Sequence, residues 1–556
     1  NRGITLTAAS GLAATSTFTL TYGGVITGGY GLTINGASQT GTVILSGSNT
    51  YTGVTTISSG VLSVGSDGNL GSNANLTLSG GTLALTGSSA FSSAKNITLN
   101  ANSTISNGNT AGATFSGTIN TNGNVLTVGG AEATTLSGVI SGTGYLTKSD
   151  AGTVTLSGAN TYSGRTMISG GTLSIASEGN LGATPLSYYS SQLLINGGTL
   201  SITDTMSLSA NRGIYIGSSG VAITVATGKT LTINPVIYDD SGHAVTLNSV
   251  AQAGTIILAS NNSSYYLPIT LSAGTLAITS AGALGTVSTT TYAATIASGA
   301  TLDMRGVNSS QYLNLNGGTV MVSTGTVSLS GNIALGANST ITVASGSSLT
   351  LSGVISGTSV GLTMSDSGTV TLSGGNSYTG STSINAGTTI VQNATGLGTT
   401  GSGTSIASGA VLDIRATIGA EALTLAGGTI QTGSSGSLSG TISLTADSTI
   451  AVDSTNTLTL SGIISGARAL TKTGTGTITL SGANTYSGGT TVNGGTLTAG
   501  RSSTGSPGSV TNGAFGTSTI TVASGAALNL NRYTVMNALS LAGQFSDSIG
   551  ALTDSY

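Results

Sequence analysis

Along most of the chain, apolar residues alternate with small polar ones. Thr153, Val154, Thr155, Leu156 and Ser157 show the pattern, and it returns in segment after segment. A period of two predicts strands with one face buried and the other wetted by hydroxyls. Gly and Asn pairs between these segments predict turns. No stretch carries apolar residues at three-and-four spacing without Gly or a β-branched run interrupting it, so helix is expected to be almost absent and the fold all-β.

The strands recur in a longer pattern. GTVILSGSNTYTGVTTISSGVLSVGSDGNLG begins at Gly41, GTVTLSGANTYSGRTMISGGTLSIASEGNLG at Gly152, GTVTLSGGNSYTGSTSINAGTTIVQNATGLG at Gly368 and GTITLSGANTYSGGTTVNGGTLTAG at Gly476. A degenerate copy, GTIILASNNSSYYLPITLSAGTLAITSAGALG, begins at Gly254 and lacks the Thr-Tyr-Ser-Gly turn. The spacing of Tyr51, Tyr162, Tyr378 and Tyr486 gives a period of about 110 residues, and five periods fill the chain. A sandwich or barrel needs hairpins and a bounded strand count. A unit repeated without linkers instead predicts a quasi-one-dimensional stack, a parallel β-solenoid running continuously over residues 1–556. About 22 residues per coil would give about 25 coils.

Composition fits that stack. Of 556 residues, 89 are Gly and only 5% are charged, while 38% are hydrophobic. Like residues superpose in successive coils, so inward Val, Ile and Leu form apolar ladders and outward Thr, Ser and Asn bond to one another. Charges in register would repel. A net charge of -3 offers no basic stripe, so no nucleic-acid partner is expected. No run of 18 apolar residues predicts a membrane-spanning helix. With no Cys, disulfides and thiolate metal sites are excluded.

LTKTGTGTITLSGANTYSGGTTVNGGTLTAG, Leu470 to Gly500, and LTKSDAGTVTLSGANTYSGRTMISGGTLSI, Leu146 to Ile175, resemble the passenger-associated strand repeat of bacterial autotransporters. The resemblance implies a right-handed parallel β-helix, placed extracellularly or on the bacterial outer cell surface, where it serves as adhesin, stalk or surface fibre.

Few residues suggest chemistry. His243 stands beside Asp239 and Asp240, a set that could hold a metal but is expected to be a solvated loop. Asp303 with Arg305 and Asp413 with Arg415 occupy one phase of two repeats, where Asn529 and Asn531 stand in the last; they read as exposed ion pairs of small energetic value, or as marks of a lateral contact between rods. The four repeated tyrosines are expected to cap the end of each local core, with a periodic aromatic stripe as the alternative. Asn-x-Ser/Thr triplets at Asn75, Asn96, Asn102, Asn338 and Asn393 are at the level of chance in so Asn- and Thr-rich a chain. Phosphate-loop and calcium-nonapeptide patterns are missing. No catalytic, cofactor or metal site is therefore expected, and no enzyme.

The opening NRGITLTAASG resembles NRGIYIGSSG from Asn211, and neither end shows a polar cap. The expected function is an extracellular structural protein that builds a cell-surface fibre by head-to-tail stacking, self-associating into a homopolymer or lateral bundle. The alternative is an adhesin whose Tyr turns, or the irregular third repeat around Tyr238 to His243, bind a cell-surface or glycan ligand. A polysaccharide-active β-helix enzyme ranks third.

Overall fold

The computed structural model describes residues 2–36, 38–218, 220–239, 241–286 and 292–546. The chain folds as a parallel β-solenoid of about 25 turns. Among the described residues the helical elements are two single 3-10 turns, Asp67–Leu70 and Glu178–Leu181. Contacts divide the chain into two compact units, residues 1–276 with 282–286, and residues 277–281 with 287–556.

In the first unit a coil supplies two or three strands. Ser103–Asn107, Ala113–Phe115 and Ile119–Asn120 follow one another, and Leu126–Gly130 then returns in parallel onto Ser103–Asn107. One resulting sheet has 11 strands, from Thr19–Tyr22 to Ile237–Tyr238, and another has 7, from Ser10–Leu12 to Ile140–Ser141. The second unit repeats the plan, with an 11-stranded sheet from Thr326–Leu329 to Leu539–Leu541 and a 7-stranded sheet that opens at Thr417–Ile418. A short antiparallel hairpin, Thr504–Ser506 with Ser509–Asn512, is an excursion from this plan.

The alternation seen in the sequence sorts into ladders. Val43, Leu62, Leu83, Ile105 and Val128 stack inward in consecutive coils, all of them buried. One residue earlier in each strand, Thr42, Val61, Thr82, Thr104, Thr127 and Thr147 stack on the outside. β-Branched residues suit such positions because their stiff side chains lie well on a pleated surface.

Two residue types close the coils. Gly60, Gly171, Gly274, Gly387 and Gly495 have positive φ (57° to 69°). A Cβ on any of them would lie 2.4 to 2.5 Å from the carbonyl of Gly41, Gly152, Gly254, Gly368 or Gly476 in the previous coil. Only Gly tolerates both the left-handed backbone and that approach. The second device is a lysine inside the core. Lys148 and Lys472 take positions in inward ladders, between Val128 and Ile168 and between Ile450 and Val492. The Lys472 Nζ donates to the carbonyls of Thr473 (3.2 Å), Gly474 (3.0 Å) and Gly494 (2.8 Å). Lys148 does the same for Ser149, Asp150 and Gly170.

Burial holds the Lys472 amine down at about 8, against a smaller opposing pull from Asp453, and Lys148 is lowered for the same first reason. The folded state therefore releases this proton before the unfolded chain does, so stability rises as pH climbs from about 8 toward 10.5. The equivalent residue ahead of the repeat that begins at Gly368 is the buried Met364, between Ile341 and Ile384. Lys472→Met is thus expected to melt within about 1 kcal/mol of the parent at neutral pH, because apolar replacement of a buried charge is commonly neutral or favourable. Its melting temperature should also rise less than the parent's between pH 8 and 10; an unchanged slope would put the effect elsewhere.

Candidate binding face

The outward threonine ladder of the first unit changes character partway along. Beyond Thr147 the same position is filled by Met167, Leu194, Tyr215 and Tyr238. All four are partly exposed, so a row of hydroxyls gives way to an apolar and then aromatic stripe. At its end the Tyr238 ring lies 4.3 Å from that of Tyr265 and 6.1 Å from that of Tyr188, centroid to centroid. Tyr188 and its neighbour Tyr189 are each 43% exposed. Hydrogen bonding from Tyr265, and secondarily Tyr188, lowers the Tyr238 phenol; the same bond with Tyr238 raises Tyr265 to about 12. Tyr188 is raised first by burial and then by Tyr238. Beside this cluster the Arg165 guanidinium donates to Ser191 Oγ (3.1 Å) and Tyr189 Oη (3.4 Å). Aromatic rings with polar tips and a nearby Arg are the side chains that contribute most to recognition.

The degenerate repeat explains why Tyr265 is there. In the other copies a buried Asn–Tyr–Thr set locks three coils. Asn160 accepts from Ile140 N (2.8 Å) and donates to Asn180 O (2.6 Å); Asn49, Asn376 and Asn484 repeat both bonds. Tyr51, Tyr162, Tyr378 and Tyr486 are 0% exposed, and their hydroxyls lie 2.5 to 2.7 Å from Thr55, Thr166, Thr382 and Thr490. Thr55, Thr382 and Thr490 pass their own proton to the carbonyls of Leu70, Leu397 and Phe515, so in those copies the tyrosine is the donor. Burial pushes Tyr51 and Tyr162 up to about 12.

Asn262 keeps both bonds, to Ile237 N (2.9 Å) and Ala283 O (2.8 Å). Tyr265 keeps the backbone place: its carbonyl accepts from Thr286 N (2.8 Å), as Tyr162 O accepts from Ala183 N (2.9 Å). Its ring, however, has left the interior, where Leu267 is buried instead, and lies against Tyr238. The scaffold bond is retained while the aromatic is transferred to the surface. This also excludes the periodic stripe, since the four anchor tyrosines are wholly internal and cap the local core.

The charged candidates fall differently. Asp303 and Asp413 are buried rather than exposed, at 2% and 0%. Asp413 accepts from Arg415 Nη2 (2.8 Å), Gln431 Nε2 (3.2 Å) and Gly433 N (3.0 Å). Burial alone would raise its carboxyl, but these donors, Arg415 foremost, hold it below the usual range. Asp303 accepts from Arg305 Nε (3.0 Å) and Ser323 Oγ (2.8 Å). Arg305 has φ 41° and Asn531 φ 49°, and the backbone N–H of each bonds back to the residue two before it, Asp303 or Asn529. The pair is therefore a strand-end cap that also ties the next coil, which corrects the reading of a weak surface ion pair. His243 Nδ1 lies 3.1 Å from Asp239 Oδ1, which also accepts from Ser241 N and Gly242 N. Asp240 is outside the described residues, as are Asn1 and residues 547–556 at the chain ends. Among the triplets, Asn96, Asn102 and Asn338 accept backbone N–H groups of the next coil and so act as rungs between coils.

The passenger-associated-transport-repeat model matches residues 38–64, 146–175, 362–391 and 470–499, each containing one anchor tyrosine. The chain carries four passenger-associated-transport repeats. Over 253 residues, 43% of its length, it is also 33% identical to the adhesin BmaC autotransporter of Brucella suis biovar 1 (strain 1330), of which that match covers 7%. Autotransporter passengers are secreted to the outer cell surface.

Proposed function

We propose that this passenger repeat protein is an adhesin-type, non-catalytic binding element, with the solenoid as scaffold and the Tyr188–Tyr238–Tyr265 cluster as its recognition face. The observation that carries this reading is the tyrosine taken from a buried anchor and placed against Tyr238, where it adds nothing to the core. The similarity to a protein named as an autotransporter adhesin supports it, and favours it over the head-to-tail fibre. The ligand class that suits three phenols and an Arg is a cell-surface glycan: sugar C–H faces pack on rings while hydroxyls exchange hydrogen bonds with phenols and guanidinium. Binding of the purified chain to cells and to an immobilised glycan panel tests this. The triple variant Tyr188→Ser, Tyr238→Ser, Tyr265→Ser is expected to lose about ten-fold or more in affinity while its melting curve stays near the parent's. Undiminished adhesion by a folded triple variant would remove the cluster from the mechanism.

A further inference from the structure

The turn after each anchor tyrosine leaves backbone carbonyls that something must satisfy. One position, two residues before the residue that lies in register with the anchor's threonine two coils on, supplies the donor. Registers Thr55–Leu76–Ile97, Thr166–Leu193–Ile214, Thr382–Thr404–Leu423 and Thr490–Ile520–Leu539 place Lys95, Arg212, Glu421 and Asn537 there.

Three of these four residues do what the position requires. Lys95 Nζ donates to the carbonyls of Gly71 (2.8 Å) and Asn73 (2.6 Å), with Asp67 at 3.7 Å. Arg212, wholly buried, donates to those of Leu181 (2.9 Å), Gly182 (3.0 Å) and Ala183 (3.2 Å), and its Nε meets Glu178 at 3.1 Å. Asn537 Nδ2 donates to Gly516 O (3.2 Å) and Ser518 O (2.7 Å).

The third family repeat inverts the chemistry. Glu421 offers a carboxylate where the others offer a donor, and Ala394 stands where Asp67 and Glu178 supply the counter-charge. Glu421 is 2% exposed; its Oε1 accepts from Thr404 Oγ1 (2.7 Å), and its Oε2 is buried without a partner. An ionised carboxylate can donate nothing to the carbonyls of Gly398 and Thr400. What remains is a recess of about 510 Å³ lined by Ala394, Leu397, Gly398, Thr400, Ile418 and Glu421.

We propose that this recess binds an alkylammonium or alkylguanidinium cation from outside the chain, its head on Glu421 and the turn carbonyls and its aliphatic stem along Leu397 and Ile418. The ligand takes the place that Lys95 and Arg212 fill from within. An acceptor-only site with one carboxylate fits a monocation with several N–H donors. A calcium ion would require six to eight oxygens, and no cluster of three or more acidic, His or Cys residues exists among the described residues. Burial raises the Glu421 carboxyl, which has no cationic side chain bonded to it among the described residues. The inference is independent of the adhesin reading, which concerns the other unit.

Calorimetric titration of the full chain with n-butylammonium and n-butylguanidinium tests it. Saturable one-to-one binding is expected, weakened about ten-fold or more in the near-isosteric Glu421→Gln. The double variant Ala394→Asp, Glu421→Lys should rebuild the internal pair, melt above the parent and bind neither probe; it also serves should Glu421→Gln fail to fold. Equal affinity in Glu421→Gln, no saturable binding by the parent, or binding of Ca²⁺ in place of either cation would overturn the proposal. A lysine-centred blocked tripeptide separates the sources. Its binding as tightly as butylammonium supports a polypeptide side chain, and its exclusion while the free amine binds supports a small amine.

Discussion

Gly462→Ala is expected to be among the most disruptive single-methyl changes this chain can suffer. Gly440, Gly462 and Gly482 stack in consecutive coils, and a Cβ built on Gly462 would lie 1.8 Å from the carbonyl oxygen of Gly440. Gly482 stands in the same relation to Gly462, at 2.0 Å. The neighbours are backbone, so no rotamer change relieves the clash; the coils must part, and with them the pairing of Ile442–Ser443 with Ile464–Ser465. Overpacking of a rigid site costs about 1–3 kcal/mol, and a backbone collision belongs at or above the top of that range. In a stacked repeat the damage is local before it is global, so hydrogen exchange is the measurement of choice. Amides of Ile464 and its neighbours should lose protection, whereas Gly401→Ala, where the added carbon meets nothing within 4 Å, should leave exchange unchanged. Full protection in Gly462→Ala would show that the coils are not in the contact described.

Removing an anchor tyrosine should cost at least as much. Tyr486→Ala deletes a ring that is 0% exposed and packed against Gly516, whose added Cβ would lie 2.9 Å from that ring. Truncation of a buried aromatic typically costs about 3–5 kcal/mol. Tyr486→Phe keeps the ring and loses only the bond to Thr490, which still donates to Phe515 O at 3.1 Å, so about 1 kcal/mol is expected. Denaturant melts of the two variants, read with exchange at Phe515 and Thr517, check the ratio. If Phe proved as damaging as Ala, the hydroxyl chain rather than the ring would be holding the turn.

The fold was legible because its signals are periodic. Alternation at Thr153–Ser157 gave strands, and the anchor tyrosines gave the repeat and their own role as internal caps. The donor position was not legible: Lys95, Arg212, Glu421 and Asn537 differ in type and fall at unequal distances from their anchors, since coils such as the one containing Tyr188 are longer. Only the register aligns them. Asp303 and Asp413 were misread for a physical reason, because i, i+2 spacing implies a common strand face only while the strand continues, and here the strands Ala300–Asp303 and Val411–Ile414 end before Arg305, which is left-handed, and Arg415. The binding face was half visible. The odd third repeat was apparent, but the stacking of Tyr215 on Tyr238 and the outward turn of Tyr265 depend on pairings across coils.

The Asn–Tyr–Thr anchor also bears on how such a gene can change. Each set is complete within neighbouring coils: Asn160, for instance, reaches only Ile140 on one side and Asn180 on the other. Two copies of the period therefore present the same junctions to whatever precedes and follows them. Misaligned recombination between the similar stretches encoding two copies would join compatible coils, adding or deleting a period without a mismatched seam. A copy gained in this way is free to drift, and the repeat that kept Asn262 while surrendering its tyrosine shows how far drift can go before the lattice of bonds is broken.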